Sequence, residues 1–459
     1  MIGGQYICKP LQNGGSNMEV EKQIADKYLK TYMVEKEPGS ASLIAFPTST
    51  DEVVAFIKDA NARKQPTITI GSQTGLTSAT YPINHAWLLS MEKMNKILSL
   101  DEQTLTLTVQ AGVTLFQIRD YLANTPYFYA PDPGNKNASV GGNASTNAGG
   151  MRAIKYGVTR DNIRGYDVVL ANGDLIHVGS LNKKDATAYD LKDLFIGAEG
   201  TLGVITELQL KLTPRPAFEK SLILGFNSLD GVSDAIFEVV KSPVQPIALE
   251  LLEESGIHYS EQFINKKMPE VHGEAFLLAT VADNAADGLA FQLEAIQALG
   301  KKAGAIEARE LSDDEASEMW AIRDNILNGI VSKGDWKMYD PVVPNHLFTD
   351  LVKEGKRLGD KYNVQTGFFG HAGDGNIHIC ILRDDQDDET WEQIKHDYEN
   401  DLFPYVAEQG GLLSAEHGIG LEKKAYLPYF KDEAYMAVLK SIKQAMDPNN
   451  ILNPGKMFD

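Results

Sequence analysis

Short apolar runs separated by polar and turn-forming residues recur along the chain, and most of them have the length of a β-strand. In the first half these runs are TITI, AWLLSM, ILSL, LTLTVQAG, DVVLA, DLIHVG and GVITELQLKL. Helical spacing predicts a short helix over residues 18–33 and a second helix over residues 53–65. Thr50 is the expected N-cap of the second helix, and Pro66 is expected to end it. The first half is therefore predicted to be an α/β or α+β domain.

Thr213-Pro214-Arg215-Pro216 is a predicted boundary. Beyond it, the strand-like runs LILGF, PIALELL and AFLLATV alternate with the helix-like segments DAIFEVVKS and FQLEAIQALGKK, which predicts a ferredoxin-like α+β domain. We expect residues 18–215 to form the first domain, residues 216–430 the second, and residues 431–459 a C-terminal segment that returns to the first. Residues 1–17 lack the basic and apolar regions of a secretory signal, so a loose leader is expected, with Met18 as a candidate natural start.

Composition narrows the class of protein. The formal net charge of -20 over 459 residues disfavours nucleic acid and anionic membranes as partners, and an anionic substrate would need a local positive site. No apolar run reaches the roughly 18 residues that span a bilayer. Cys8 and Cys380 are far apart and form no CxxC, so a disulfide framework or a cysteine-bound cluster is disfavoured. A cytoplasmic protein without a transmembrane segment is expected.

Three segments rich in glycine and small residues suit the close approach of a ligand to the backbone. GSQTGLT, at residues 71–77, directly follows the strand TITI, so its amides can point at a pyrophosphate. Residues 131–157 are dense in Gly, Asn, Ser and Ala and are predicted to be irregular, and residues 195–206 read FIGAEGTLGVIT. None is a GxGxxG fingerprint or a P-loop. Taken singly, the first segment could be a plain turn, the second a flexible linker, and the third a helix start followed by a strand.

In this order and spacing, the three segments resemble the FAD-binding domain shared by vanillyl-alcohol oxidase and p-cresol methylhydroxylase. From about Phe46 onward, the chain more closely resembles the group of D-lactate dehydrogenase, the glycolate oxidase D-subunit and D-2-hydroxyglutarate dehydrogenase. The resemblance implies an α+β fold, with a two-part FAD-binding domain of the p-cresol methylhydroxylase type and a ferredoxin-like substrate (cap) domain. It also implies an FAD-linked oxidoreductase.

The resemblance further implies which residues hold the flavin. Some relatives tether the flavin through a histidine, but residues 71–77 and 131–157 contain none, so non-covalent FAD is expected. The residues expected to bind it are Gly71, Ser72, Gln73, Thr74, Gly75, Leu76, Pro131, Asp132, Gly134, Ser139, Gly141, Gly142, Asn143, Thr146, Asn147, Gly149, Gly150, Tyr156, Gly157, Glu199, Gly200, Gly203, Ile205 and Asn453.

GHAGDGNIHIC, at residues 370–380, reads as two strands joined by a tight turn, which would bring His371 and His378 together. Alternation along the second strand turns His378 away from the apolar face formed by alternate isoleucines. Two converging imidazoles suit zinc or manganese, although two surface histidines flanking a hairpin would give the same pattern. Glu416-His417, in SAEHG, offers further ligands, or alone could be a solvated loop.

The family pattern implies roles for these residues. His371, His378 and Glu416 would bind a divalent metal, preferably zinc with manganese or iron as alternatives, and His417 would be the catalytic base. The segment that ends in Arg323 resembles the substrate arginine segment of the family. The segment that contains Lys337 resembles its substrate lysine segment. These two cations are therefore expected to bind substrate, and Asn376 is expected to supply a further substrate contact. Taken alone, each cation could equally lie on a helix surface or a strand edge.

The expected reaction is oxidation of a small D-2-hydroxy acid to the 2-oxo acid. The metal would acidify the hydroxyl group, a histidine with a reference pKa of about 6.5 would accept its proton, and hydride would pass to flavin N5. A small monocarboxylate such as D-lactate, or a short aliphatic homologue, is the expected substrate, because Leu327 and Cys380 stand where relatives acting on 2-hydroxyglutarate carry polar residues. Alternatives are a D-2-hydroxyglutarate or glycolate dehydrogenase, a metal-free alcohol or sugar oxidase, and a non-catalytic flavoprotein.

The expected partner is an external electron acceptor, namely an electron-transfer flavoprotein, a quinone or a partner subunit. A homodimer is a family expectation.

Overall fold

A computed structural model describes residues 18–33 and 37–458. The first four strands form one sheet, in the order β1-β2-β4-β3, with parallel pairing of β4 to both β2 and β3. The elements of this layer are β1 (Glu19–Glu21), β2 (Ala41–Phe46), α1 (Thr50–Arg63), β3 (Thr67–Ile70) and β4 (Ala86–Ser90).

Helix α1 begins one residue earlier than its expected cap implies. The Ser49 hydroxyl accepts a hydrogen bond from the Glu52 amide, so Ser49 is the N-cap and Thr50 is already helical. The helix ends where Lys64 takes a left-handed conformation (φ 52°), two residues before Pro66.

A second, antiparallel sheet completes the first half of the chain. Its order is β5-β6-β10-β8-β9, and β7 pairs with the far end of β10. The elements are β5 (Ile97–Asp101), β6 (Thr106–Gln110), α2 (Leu115–Tyr121), β7 (Tyr127–Tyr129), α3 (Val140–Thr146), α4 (Ala153–Tyr156), β8 (Ile163–Val169), β9 (Leu175–Gly179), α5 (Leu191–Phe195) and β10 (Val204–Pro214).

The second half is built on a seven-stranded antiparallel sheet in the order β14-β11-β13-β12-β16-β17-β15. Its elements are β11 (Phe218–Phe226), α6 (Leu229–Val240), β12 (Ala248–Glu253), α7 (Glu254–Ile264), β13 (Ala275–Asp283), α8 (Ala286–Lys302), β14 (Glu307–Glu310), α9 (Asp313–Asp324), α10 (Ile326–Val331), β15 (Trp336–Tyr339), α11 (Phe348–Tyr362), β16 (Gln365–His371), β17 (Asn376–Leu382), α12 (Asp388–Glu408), α13 (Leu427–Phe430) and α14 (Glu433–Met446).

The ferredoxin-like prediction is confirmed within this sheet. Strands β11, β12, β13 and β14 with helices α6 and α8 form a βαββαβ unit, whose strand order is 4-1-3-2. Strands β16, β17 and β15 extend the sheet beyond β12. Helices α6, α8, α11 and α12 bury one face of the sheet, and α7, α9 and α10 pack on the other. The second face is the one that leads to the site described below.

Two sequence-based predictions of local structure are wrong. Residues 18–33 do not form a helix, because the described chain there pairs Glu19–Glu21 with β2 and has only a 3₁₀ turn at Asp26–Tyr28. The segment 131–157, expected to be irregular, contains α3 and α4. Helix α3 forms from weak helix formers because its small residues pack closely against β6 and β10; the Gly141 amide bonds to the Ala111 carbonyl (2.8 Å).

The chain end lies against the first sheet: the Thr67 amide bonds to the Ile451 carbonyl (2.7 Å), and the Asn453 amide to the Thr67 carbonyl (2.8 Å). The predicted leader, residues 1–17, lies outside the described residues. Among the helices of the described residues, none combines the length and apolar character that a membrane span requires.

Candidate active site

One cavity of about 650 Å³ lies where the glycine-rich segments of the first half meet the seven-stranded sheet. Residues 71–77, helix α3 and residues 199–205 contribute one side, and the opposite side carries Arg323, His371, His378, Glu416 and His417. Segments that are hundreds of residues apart in sequence therefore open onto the same space. This juxtaposition connects the predicted flavin residues with the predicted metal and substrate residues.

The flavin side of the cavity has features that fit FAD. Gly75, Gly134 and Gly200 face open space, since a Cβ atom added at any of them would meet no atom within 4 Å. Ser139 Oγ and Asn143 Nδ2 are buried polar atoms without a hydrogen-bond partner, and both residues line the cavity. Unpartnered buried polar atoms are costly, so a bound group with phosphate and ring polar atoms suits this wall. The predicted flavin residues that line it are Gly71, Ser72, Gln73, Thr74, Gly75, Leu76, Gly134, Ser139, Gly141, Gly142, Asn143, Thr146, Glu199, Gly200, Gly203, Ile205 and Asn453.

Other residues predicted to bind flavin do not line the cavity. Asn147 ends α3 in a left-handed conformation (φ 54°), and its Oδ1 accepts a hydrogen bond from the Arg160 amide (3.0 Å). The Tyr156 ring packs edge-on against Phe128. A Cβ atom at Gly149 would lie 2.8 Å from Glu416 Oε1, so this glycine leaves room for the glutamate. The full set of predicted flavin residues outside the cavity lining is Pro131, Asp132, Asn147, Gly149, Gly150, Tyr156 and Gly157.

Strand alternation decides which side chains of the sheet reach the cavity. In the hairpin β16–β17, Phe369 pairs with His378 and His371 with Asn376, while Glu250 of β12 pairs with His371. Glu250, Phe369, His371 and His378 consequently share one face. The alternate isoleucines of β17 lie on the other face, in the hydrophobic core, which confirms the predicted orientation of His378.

His371, His378 and Glu416 converge closely enough to hold a metal ion. One ligand atom from each lies within 4.8 Å of the others, and all three residues are buried. His371 Nε2 is 3.3 Å from Glu416 Oε1, and its Nδ1 faces Glu250 Oε1 at 2.8 Å. A carboxylate behind an imidazole is the usual support for a metal-binding histidine. Two imidazoles and one carboxylate form a donor set that fits zinc or manganese.

The electrostatics of this cluster favour a positive charge at its centre. Burial opposes the charged form of His371, but Glu250 and Glu416 raise its pKa well above the ordinary value. Burial lowers the pKa of His378 to about 4, which leaves a neutral imidazole. Burial also opposes ionisation of Glu416, yet His371 brings its pKa down to about 2. The carboxylates thus attract a cation between them, and His378 can contribute an uncharged nitrogen donor.

Arg323 is held in place by Glu250, a residue that the sequence analysis missed. Arg323 Nη2 lies 2.6 Å and Nε 2.8 Å from Glu250 Oε2, in a buried pair. Burial opposes ionisation of Glu250, but Arg323 and then His371 keep its pKa below the usual value. Within the described residues, Arg323 Nη1 has no partner and remains available to a substrate carboxylate. The available signal was an acid inside the otherwise apolar strand PIALELL.

Asp340 is a second missed residue, and it orders the loop that carries Glu416 and His417. Its Oδ2 accepts hydrogen bonds from the Ser414 hydroxyl (3.0 Å) and from three successive amides, those of Ala415 (3.2 Å), Glu416 (3.1 Å) and His417 (3.3 Å). Burial opposes ionisation, but Lys423 and the two nearby histidines hold the pKa of Asp340 well below its ordinary value. An acid directly after a buried strand was the signal in the sequence.

His417, the predicted base, lines the cavity and is half-buried. Its ring centroid lies 6.4 Å from that of His378, and its carbonyl accepts a hydrogen bond from the Thr77 hydroxyl (3.0 Å). Glu199 strengthens this link between the two halves, because its carboxylate accepts hydrogen bonds from the amides of Ile419 (2.6 Å) and Gly420 (2.8 Å). The loop of the predicted base is therefore tied to the flavin side.

Two of the predicted substrate residues do not line the cavity. Lys337 Nζ points to the opposite side of β15, where it pairs with Glu422 Oε2 at 2.6 Å and Glu399 Oε1 at 3.6 Å. Its neighbour Met338 faces the cavity instead, because successive residues of a strand point to opposite faces. Asn376 is buried and donates to Asp340 Oδ1 (3.0 Å) and the Pro341 carbonyl (3.0 Å), so its amide supports Asp340.

Comparisons with known proteins agree with this arrangement. Residues 41–179 match the family model "FAD binding domain", and residues 215–457 match "FAD linked oxidases, C-terminal domain". The chain is 36% identical to D-lactate dehydrogenase of Anaerostipes hadrus, over 89% of this chain and 88% of that protein. It is 34% identical to glycolate oxidase subunit GlcD of Bacillus subtilis (strain 168), over 90% and 88%. It is 31% identical to D-2-hydroxyglutarate dehydrogenase of Stutzerimonas stutzeri (strain A1501), over 91% of each.

The fold is also that of a solved protein structure. Substrate-bound p-cresol methylhydroxylase superposes with a TM-score of 0.78 at 19% identity, over 94% of this chain and 92% of that chain. This likeness confirms the predicted α+β fold of the p-cresol methylhydroxylase type. Together with the matches in sequence, it identifies the chain as a member of the FAD-linked oxidase family, in the group of the D-lactate, glycolate and D-2-hydroxyglutarate dehydrogenases.

Proposed function

We propose that this protein is a divalent-metal-dependent D-2-hydroxy acid dehydrogenase that holds FAD non-covalently and passes electrons to an external acceptor. The observation that carries the proposal is the convergence of His371, His378 and Glu416 in the cavity that the flavin-side glycine loops also line. A plain alcohol or sugar oxidase does not need this donor set. The names of the relatives supply the substrate class.

The chain's own residues account for binding and proton transfer. Bound FAD supplies a hydride acceptor and a bound divalent cation supplies a Lewis acid. Arg323, oriented by Glu250, offers its remaining guanidinium donor to the substrate carboxylate. His417, at the cavity wall, accepts the proton of the C2 hydroxyl. Asp340 fixes the backbone beside this histidine, so the base and Glu416 keep a constant relation to each other.

For the substrate, we propose a monocarboxylate such as D-lactate, or an aliphatic homologue, over D-2-hydroxyglutarate. Leu327 lines the cavity, and the fully buried Cys380 lies in the sheet beneath it. Lys337 is engaged with Glu422, so it offers no charge to a second carboxylate. A buried carboxylate without a partner costs several kcal/mol, whereas an apolar group gains from such a wall.

Metal analysis combined with dye-reduction assays tests the proposal. Purified protein should contain about one equivalent of zinc, manganese or iron, and a chelator should abolish oxidation of D-2-hydroxy acids while the flavin stays bound. Metal-free protein that oxidises D-lactate at the full rate would contradict metal dependence. Activity on simple alcohols or sugars, but on no 2-hydroxy acid, would favour the oxidase alternative.

A further inference from the structure

We propose that an apolar wall next to Arg323 selects 2-hydroxy acids whose side chain is larger than methyl and uncharged, with branched aliphatic or aromatic chains preferred over D-lactate. The wall consists of Leu327, Val331, Trp336, Met338 and Phe369. The inference rests on the proposed function, since it assumes that Arg323 and the histidine cluster bind the 2-hydroxy acid head group.

The sheet face that reaches the cavity changes character along its length. Near β12 it carries Glu250, His371 and His378, whereas toward β15 it carries Met338 and Trp336. Met338 pairs with Cys380, and Trp336 pairs with Leu382, so strands β15 and β17 present apolar side chains at this end. A head group held at the polar end therefore directs its C2 substituent toward apolar side chains.

The helices that line the cavity also change from polar to apolar residues along their length. Arg323, Leu327 and Val331 follow one another at four-residue spacing across α9 and α10, and all three line the cavity. Leu327 and Trp336 pack in one hydrophobic cluster with the buried Met338 and Phe369. The guanidinium of Arg323 lies over the Phe369 ring at 5.6 Å, so the apolar wall begins directly at the carboxylate-binding group.

Two polar side chains that line the cavity, those of Asn325 and Lys136, are already engaged in hydrogen bonds. Asn325 Nδ2 donates to the Ala321 carbonyl (2.9 Å), and its Oδ1 accepts from Asn328 (3.0 Å). Among the described residues, the cavity is lined by one lysine, Lys136, in addition to Arg323. Lys136 Nζ donates to Asp132 Oδ1 (2.5 Å) and to the Pro133 carbonyl (2.9 Å). Asp324, the neighbour of Arg323, also lines the cavity and would repel a second carboxylate.

A substrate side chain that covers more of the apolar wall should have a higher kcat/KM. The methyl group of lactate covers little of the wall, and each further methylene removed from water improves binding by about fourfold. The kcat/KM of a substrate with a four-carbon branched side chain should therefore exceed that of D-lactate by at least about tenfold, provided that the added binding is realised in the transition state. A side chain ending in a carboxylate gains nothing comparable.

A substrate series with the purified holoenzyme tests this inference. Dye reduction would be measured with D-lactate, D-2-hydroxybutyrate, D-2-hydroxyisocaproate, D-phenyllactate and D-2-hydroxyglutarate. We expect kcat/KM to rise along the aliphatic series, with D-2-hydroxyisocaproate at least tenfold above D-lactate. A maximum at D-lactate or at D-2-hydroxyglutarate overturns the apolar-wall inference alone. Failure to oxidise any 2-hydroxy acid overturns the proposed function and this inference with it.

Substitutions in the wall test whether it causes the substrate preference. Leu327→Thr should lower the ratio of kcat/KM for D-2-hydroxyisocaproate to that for D-lactate by at least about fivefold, because it adds a hydroxyl to the wall. Leu181→Thr is the matched control, since Leu181 is exposed and outside the cavity, and it should leave the ratio unchanged. If Leu327→Thr loses flavin, the partly exposed Val331→Thr replaces it in the test. An unchanged ratio in a folded, flavin-bound wall variant overturns the assignment.

Discussion

Replacing Asp340 by asparagine tests how the loop that carries Glu416 and His417 is held. The side chain is 1% exposed, and one of its oxygens accepts four hydrogen bonds from residues 414–417. Lys423 Nζ lies 3.6 Å from the same oxygen and donates to the Ser414 hydroxyl at 2.9 Å. Asparagine keeps the shape of the side chain but removes the charge.

The expected loss follows from the burial of both charges. Lys423 is 5% exposed, and burial lowers its pKa while Asp340 raises it, so the lysine depends on this carboxylate for its charged state. Removing one partner of a buried ion pair costs about 3–5 kcal/mol, because the other charge is left uncompensated. We therefore expect Asp340→Asn to lower the free energy of unfolding by about 3–5 kcal/mol.

Chemical denaturation at neutral pH, followed by tryptophan fluorescence, measures this loss, because Trp320, Trp336 and Trp391 all lie in the same half of the chain as Asp340. Asp432→Asn is the matched control: Asp432 is an exposed N-cap that accepts from the Tyr435 amide, and asparagine caps equally well. Its expected cost is within about 0.5 kcal/mol.

A double-mutant cycle with Lys423→Met isolates the ion pair. If the pair acts as described, the double variant should be more stable than the sum of the two single losses predicts. A loss below about 1 kcal/mol for Asp340→Asn, or additive effects in the cycle, would refute the reasoning that this buried pair holds the loop.

The remaining predictions concern cofactor, metal and substrate contacts. Acid denaturation should release all of the FAD, and flavin that stays with the precipitated polypeptide would contradict non-covalent binding. Ala substitution of His371, His378 or Glu416 should lower metal content, whereas His417→Ala should keep the metal and lose roughly 10²–10⁴-fold in kcat; normal turnover at neutral pH would remove His417 as the base. Lys337→Met should destabilise the fold by about 3–5 kcal/mol, since it breaks a buried pair with Glu422, yet leave KM for D-2-hydroxy acids within about twofold. A tenfold rise in KM would restore Lys337 as a substrate ligand.

The sequence by itself determined the features that depend on local patterns. Apolar runs of strand length appear as strands, and their alternation with helices predicted the ferredoxin-like order of β11 to β14. Period-two alternation also predicted the face on which His378 lies. The resemblance carried by the glycine-rich segments correctly identified the flavoprotein family, because close backbone approach to a ligand leaves glycines at recognisable spacings.

The tertiary structure alone decided how residues distant in sequence meet. Helix α3 forms in a segment of weak helix formers, because packing against β6 and β10 outweighs local propensity. Lys337, predicted to bind substrate, points away from the cavity and its neighbour Met338 lines it, since the register of β15 on β17, not composition, sets which of them faces the cavity. Glu250 reaches His371 across 121 residues of chain, and Asp340 reaches Glu416 across 76. Such contacts arise from strand pairing and loop closure over long separations, which no local periodicity encodes.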